Sequence, residues 1–196
     1  MLEKLGDIGW KGTIEGRVLQ VNIIYKLLLT FNATSTMIVI YLIKESYYLL
    51  LLEKQPAWIS HIIFALVPLL LTIISVAIKG LLSKDDVNYE MQSIEEANNA
   101  FLPSYLGYFF VALSVNSVET MIFVYMIVFI FTYFSQTLYF NPLFLLIGYK
   151  FYYMTTVNNV KLFIISKKEI NSTSGLTFPK LRRINNTTFI DEEDKQ

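Results

Sequence analysis

Apolar residues run along this chain in long unbroken blocks instead of alternating or recurring at three-and-four spacing. Two blocks, from about Leu27 to Ile43 and from about Ala57 to Leu82, each approach the roughly 20 apolar residues that cross a bilayer core. Both read as membrane-spanning helices. Between them "KESYYLLLLEKQP" sets Lys44, Glu45, Glu53 and Lys54 around a short apolar patch. That stretch reads as an interfacial turn with Tyr47, Tyr48 and Trp58 at headgroup depth, and Pro56 stands where a proline starts a helix at little cost. From Phe101 to Phe140 the chain is apolar again, over about twice the span requirement, broken only by Asn116, Ser117 and Glu119. A glutamate at the bilayer centre costs about 3 kcal/mol or more, and at an interface much less, so the polar triplet is expected to be a turn. It divides the run into a short third span, about Ala100 to Val115, and a fourth, about Thr120 to Phe140, closed by Asn141-Pro142.

Charge supports four spans over three. With four, the N-terminus through Lys26, Lys79 and Lys84, and the tail from Lys150 share one side, which then holds fourteen of the sixteen Lys and Arg. Basic residues concentrate on the cytoplasmic side, so both termini are expected there and Asn116 to Glu119 outside. The fold class expected is an all-α membrane protein of four transmembrane helices with a small cytoplasmic tail containing a β-hairpin. The divisions are a cytoplasmic N-terminal segment 1–22, helices one and two in 23–82, an acidic cytoplasmic loop 83–99, helices three and four in 100–140, and a tail 141–196. Residues 1–22 mix charges of both signs and show no apolar h-region or cleavage site, so the first span is expected to serve as an uncleaved anchor in a bacterial inner membrane.

Composition agrees, with 54% hydrophobic residues, 15% aromatic and a mean hydropathy of +0.48. Net charge is zero but segregated. The loop 83–99 carries a net of −4, whereas Lys150 to Arg183 holds seven basic residues against Glu169 alone, followed by an acidic stretch from Asp191 to Asp194. In the tail, "YKFYYMTTVNNVKLFIISK" is rich in aromatic and β-branched residues around Asn158-Asn159, which fits a hairpin near 149–167. A lone hairpin is marginal, so it must pack on something, and its edges invite strand addition. Tyr149, Phe151, Tyr153 and Phe163, with Lys180, Arg182 and Arg183, are therefore the candidate partner-binding residues. The basic trio could hold anionic lipid, an acidic protein surface or nucleic acid, with juxtamembrane lipid the reading given the most weight. Asn171-Ser172-Thr173 matches a glycosylation triplet that a cytoplasmic tail would not expose to that machinery.

Chemistry is sparse. Cysteine is absent and His61 is the single histidine. There is no HExxH, no GxSxG and no phosphate-cradling Gly loop. A non-enzyme without cofactor or metal is expected. Polar residues within the spans, such as Asn32, Thr34, Ser35 and Ser75, read as interhelical hydrogen-bonding groups.

The stretch "YFNPLFLLIGYKFYYMTTVNNVKLFIISKKEI", after these apolar helices in a chain of this length, resembles the KwaA family, the membrane subunit of the Kiwa anti-phage defence system. The resemblance implies an inner-membrane homo-oligomer, a tetramer, which perceives infection at the envelope and works with a cytoplasmic DNA-binding effector, KwaB, without itself binding nucleic acid. The rival reading is a small oligomeric pore with Asn116, Ser117 and Glu119 at its outer mouth.

Overall fold

The computed structural model describes residues 2–87, 91–135, 141–170 and 178–192, and the side chains within them from residue 21 onward except 86, 87 and 179. The first helix, α1 (Leu2–Lys44), is one continuous element of 43 residues. It stops because Ser46 takes a left-handed φ of 56°, which lets Tyr47 N–H reach Leu42 O at 2.9 Å and Ser46 N–H reach Ile43 O at 3.0 Å. The next helix, α2 (Ala57–Ala77), follows Pro56, contains Pro68, and runs into a 3₁₀ turn at Lys79–Leu81. Then come α3 (Leu102–Ser114), α4 (Val118–Phe134) and the single turn α5 (Leu143–Leu146). The chain reverses between α3 and α4, where Ser117 caps α4 by accepting from Thr120 N–H at 3.2 Å.

The bundle is inside out. Thr30, Asn32, Thr34, Ser35, Thr72, Ser75 and Thr132 are buried, whereas Leu66, Leu70, Phe110, Phe123, Phe131 and Phe134 are exposed. A soluble bundle would bury the second set. Val21–Lys44 and Ala57–Leu81 are long and apolar enough to cross a membrane, and the most apolar stretch of the second is only 17% buried, unlike the core helix of a soluble protein.

Residues 84–96 and 150–191 build one six-stranded mixed sheet: β1 (Lys84–Val87), β2 (Met91–Glu96), β3 (Lys150–Thr156), β4 (Lys161–Ser166), β5 (Phe178–Arg183) and β6 (Thr188–Asp191). The order across it is β1-β5-β6-β4-β3-β2. All neighbours are antiparallel except β4 and β6. Both outer strands carry a register irregularity, at Asp85/Val87 and at Met91/Ser93. Side chains alternate between faces. One face places Phe151, Phe163, Ile165 and Ile190 in a core with Tyr25, Leu29 and Phe144 of the helices. On the other, Tyr152, Met154, Ile164, Leu181 and Phe189 form a second core with Met91 and Ile94.

The architecture corrects the expected all-α, four-span fold. Among the described residues only two helices have the length and composition of a span. At 1.5 Å per residue α3 covers about 20 Å and α4 about 26 Å, short of a hydrocarbon core of about 30 Å. The forty-residue apolar run overstated both helices because its composition continues through the turn at Val115–Ser117 and past Ser135. The acidic stretch 83–99 also contributes the sheet's two outer strands. Residues 136–140, the expected end of the fourth span, the 171–173 triplet and the end of the acidic stretch lie outside the described residues.

Candidate functional site

The helices and the sheet meet where α2 ends. Lys79, the first charge after the apolar run, stands in the 3₁₀ turn that follows α2. Its ammonium donates to Tyr149 Oη at 2.8 Å, to Asp191 O at 3.0 Å and to Glu192 O at 3.3 Å. One cation thus holds both the start of β3 and the end of β6. Arg182 on β5 makes the parallel connection. Its Nε and Nη2 grip Glu192 Oε2 and Oε1 at 3.0 and 2.9 Å, while Nη1 donates to Leu82 O at 2.8 Å. A bidentate pair of this kind fixes direction as well as distance. The hydrogen bond from Arg182 holds the Glu192 carboxyl below the ordinary glutamate range. Beside it Asp191 is fully buried and accepts from Ser166 Oγ at 2.8 Å, with Lys168 Nζ at 3.9 Å. Tyr25 of α1 closes the junction by donating to Ser75 O at 3.0 Å.

A second polar node lies within the bundle. With the Asn32 amide oriented to suit its neighbours, its nitrogen donates to Pro68 O at 3.0 Å and its oxygen accepts from Asn141 Nδ2 at 3.0 Å. Asn141 Nδ2 also donates to Thr72 Oγ1 at 3.1 Å, and Thr72 donates to Pro68 O at 2.8 Å. Asn141 Oδ1 accepts from Tyr105 Oη at 3.2 Å and from Leu143 N–H at 3.0 Å. Asn141 therefore joins α1, α2, α3 and α5 at one buried point. Carrying an unpaired amide into an apolar bundle would cost several kcal/mol, so the node specifies one arrangement of these helices.

Anti-phage protein KwaA is the family that matches, over residues 25–190. The chain belongs to the KwaA family. No curated protein and no solved structure matches it at significant similarity. The match begins inside α1 and ends in β6, so it takes in the polar node, the helices that follow α1 and all but the last residue of the sheet.

The residues singled out for partner binding separate into two groups. Tyr149, Phe151 and Phe163 are buried and Tyr153 is partly so. Their rings pack together and on Phe144, with Phe144 to Tyr149 at 5.9 Å and Phe151 to Phe163 at 5.7 Å between centroids. They join the sheet to α5 and the end of α2 and are not presented on a surface. Arg182 is likewise interior. Lys180 is exposed on β5, and Arg183 pairs with Asp85 while lying 5.6 Å from the Phe189 ring centroid.

Asn116, Ser117 and Glu119 sit together at the α3–α4 turn. Lys44 at the end of α1 donates there to Val115 O, and to Asn116 Oδ1 at 3.2 Å. Lys79, Asn141, Asp191 and Glu192 were not singled out from the sequence. Lys79 carried a signal as the lone cation that ends an apolar run. Asn141 was read only as part of a turn before proline, and the partners of Asp191 and Glu192 come from other elements of the fold.

Proposed function

We propose that this chain is the membrane anchor and sensor of an anti-phage defence complex, acting as a homo-oligomer in the bacterial inner membrane with α1 and α2 crossing it. The sheet faces the cytoplasm and recruits a cytoplasmic effector, the KwaB-type partner that the family resemblance implies. The chain performs no chemistry of its own. A disturbance of the bilayer shifts the packing of the helices, and the sheet follows because Lys79 and Arg182 bind it to the end of α2. A ligand or a membrane state can shift such an equilibrium only by interacting differently with the two arrangements.

The Lys79 junction is the observation that carries this reading. One side chain from the end of a span holds two strands of the sheet, so the span end cannot shift alone. Purification of the tagged chain from its native host in mild detergent tests it. A homo-oligomer with a stoichiometric cytoplasmic protein is expected, and removal of residues 149–196 should release that protein and abolish protection against phage. A chain recovered without partner, or protection that survives the deletion, would rule the reading out.

A further inference from the structure

A cavity of about 240 Å³ lies between the end of α1 and the start of α4, at the end of the bundle away from the sheet. Ile38 and Tyr41 wall it on one side, Met121 and Tyr125 on the other, and Tyr47 stands at the end beyond α1. Ile122 and Met126, 56% and 49% exposed, flank it on the outer face of α4. From Val118 to Met126 the slot runs about 12 Å at 1.5 Å per residue. At its upper end Lys44 Nζ lies 5.8 Å from the Tyr41 ring centroid and pairs with Glu45 at 3.1 Å. The slot thus has one charged rim and apolar walls beneath it.

That polarity profile is complementary to an amphiphile, with a headgroup at the rim and a chain below. A neighbouring helix, about 10–12 Å across, would need on the order of 1,000 Å³ over the same length, several times the volume of the slot. We infer that the slot holds one acyl chain of a phospholipid from the leaflet facing away from the sheet. The inference rests on the reading that α1 and α2 cross a bilayer. A chain seated there bears on Tyr125, whose hydroxyl lies 3.1 Å from Thr34 Oγ1 on α1, two residues from Asn32. Methionines at 121 and 126 let the wall adapt to chains of different shape.

The test reconstitutes the full chain in palmitoyl-oleoyl-phosphatidylcholine vesicles doped with a phosphatidylcholine that carries a diazirine on its acyl chain. After flotation and irradiation, labelled peptides are read by mass spectrometry. Tyr41 and Met121, each 5% exposed, are shielded from bulk lipid. They should nevertheless be labelled, alongside the openly exposed Phe123 and Phe131. Ile38→Phe, or Leu42→Phe should the first variant not fold, fills the slot and should abolish labelling at Tyr41 and Met121 while leaving Phe131 unchanged. Labelling confined to Phe123 and Phe131 in floated wild-type chain would overturn the inference. So would an Ile122→Cys disulfide between copies that forms readily in vesicles, which would assign the slot to a second copy. A chain that does not float with the vesicles would instead refute the membrane reading on which the inference stands.

Discussion

Asn141 carries a large structural consequence for one side chain, because its amide satisfies groups on four helices at once. Asn141→Ala removes a partner of Tyr105, of Leu143 N–H and of the Asn32 amide together, although Asn32 keeps Pro68 O and Thr72. A buried polar group left unpaired costs about 1–3 kcal/mol, so thermal unfolding in detergent should show a loss of at least that size. An alanine variant as stable as the parent would remove the node from the account.

Glu192 gives a pH dependence whose sign is fixed. Its carboxyl titrates below the ordinary value of 4.5 because Arg182 donates to it. The stabilisation it brings is therefore present above that value and is lost as pH falls below it toward the folded-state value. The melting temperature should drop as pH is lowered through this window, and Arg182→Met should flatten that drop. At this scale the sequence was partly legible. Ser117 was expected in a turn and caps a helix, but Arg182 was taken for a surface cation when its partner Glu192 is ten residues away, just past the end of β6.

Among the elements, the junction between α2 and the sheet sets what moves together. Lys79→Met keeps the length of the side chain and removes its bonds to Tyr149, Asp191 and Glu192. Amides of β6 and of the β3 start should then exchange faster, while those of α1 and α2 keep their protection. Equal exchange in the variant and the parent would mean that the aromatic core alone holds the sheet. The second half of α1 and the whole of α2 were readable because each is a continuous apolar run of span length. The shorter α3 and α4 were overestimated because composition does not mark where a helix frays or turns. The hairpin of β3 and β4 was visible through Asn158-Asn159, where Asn159 takes a φ of 60°. Strands β1, β2, β5 and β6 were not, since β1 pairs with residues nearly a hundred positions later and β2 with residues some sixty later. Charged, short strands carry little alternation of their own, and only tertiary pairing makes them strands.

Across the whole molecule, α1 leaves the sheet end and α2 returns to it, so the α1–α2 connection and the sheet should face opposite sides of the membrane. The absence of cysteine makes this measurable. In intact cells an impermeant maleimide should label a single cysteine at Leu51, which is 97% exposed, whereas one at Asn158 should react only once the membrane is opened. Labelling of both from one side would refute the arrangement.

Strands β1 and β2 are the two outer strands, yet only residues 88–90 separate them in the chain. In a flat sheet they would stand five spacings apart, about 24 Å. Four peptide steps between Val87 and Met91 reach at most about 15 Å. The sheet must therefore curl toward a barrel, helped by the irregularities in both outer strands. Its concave lining is the cluster to which five of the six strands contribute. The two borders are drawn together by a covalent tether, so neither offers the long free template that strand addition requires. An effector that binds this module has to read its side chains.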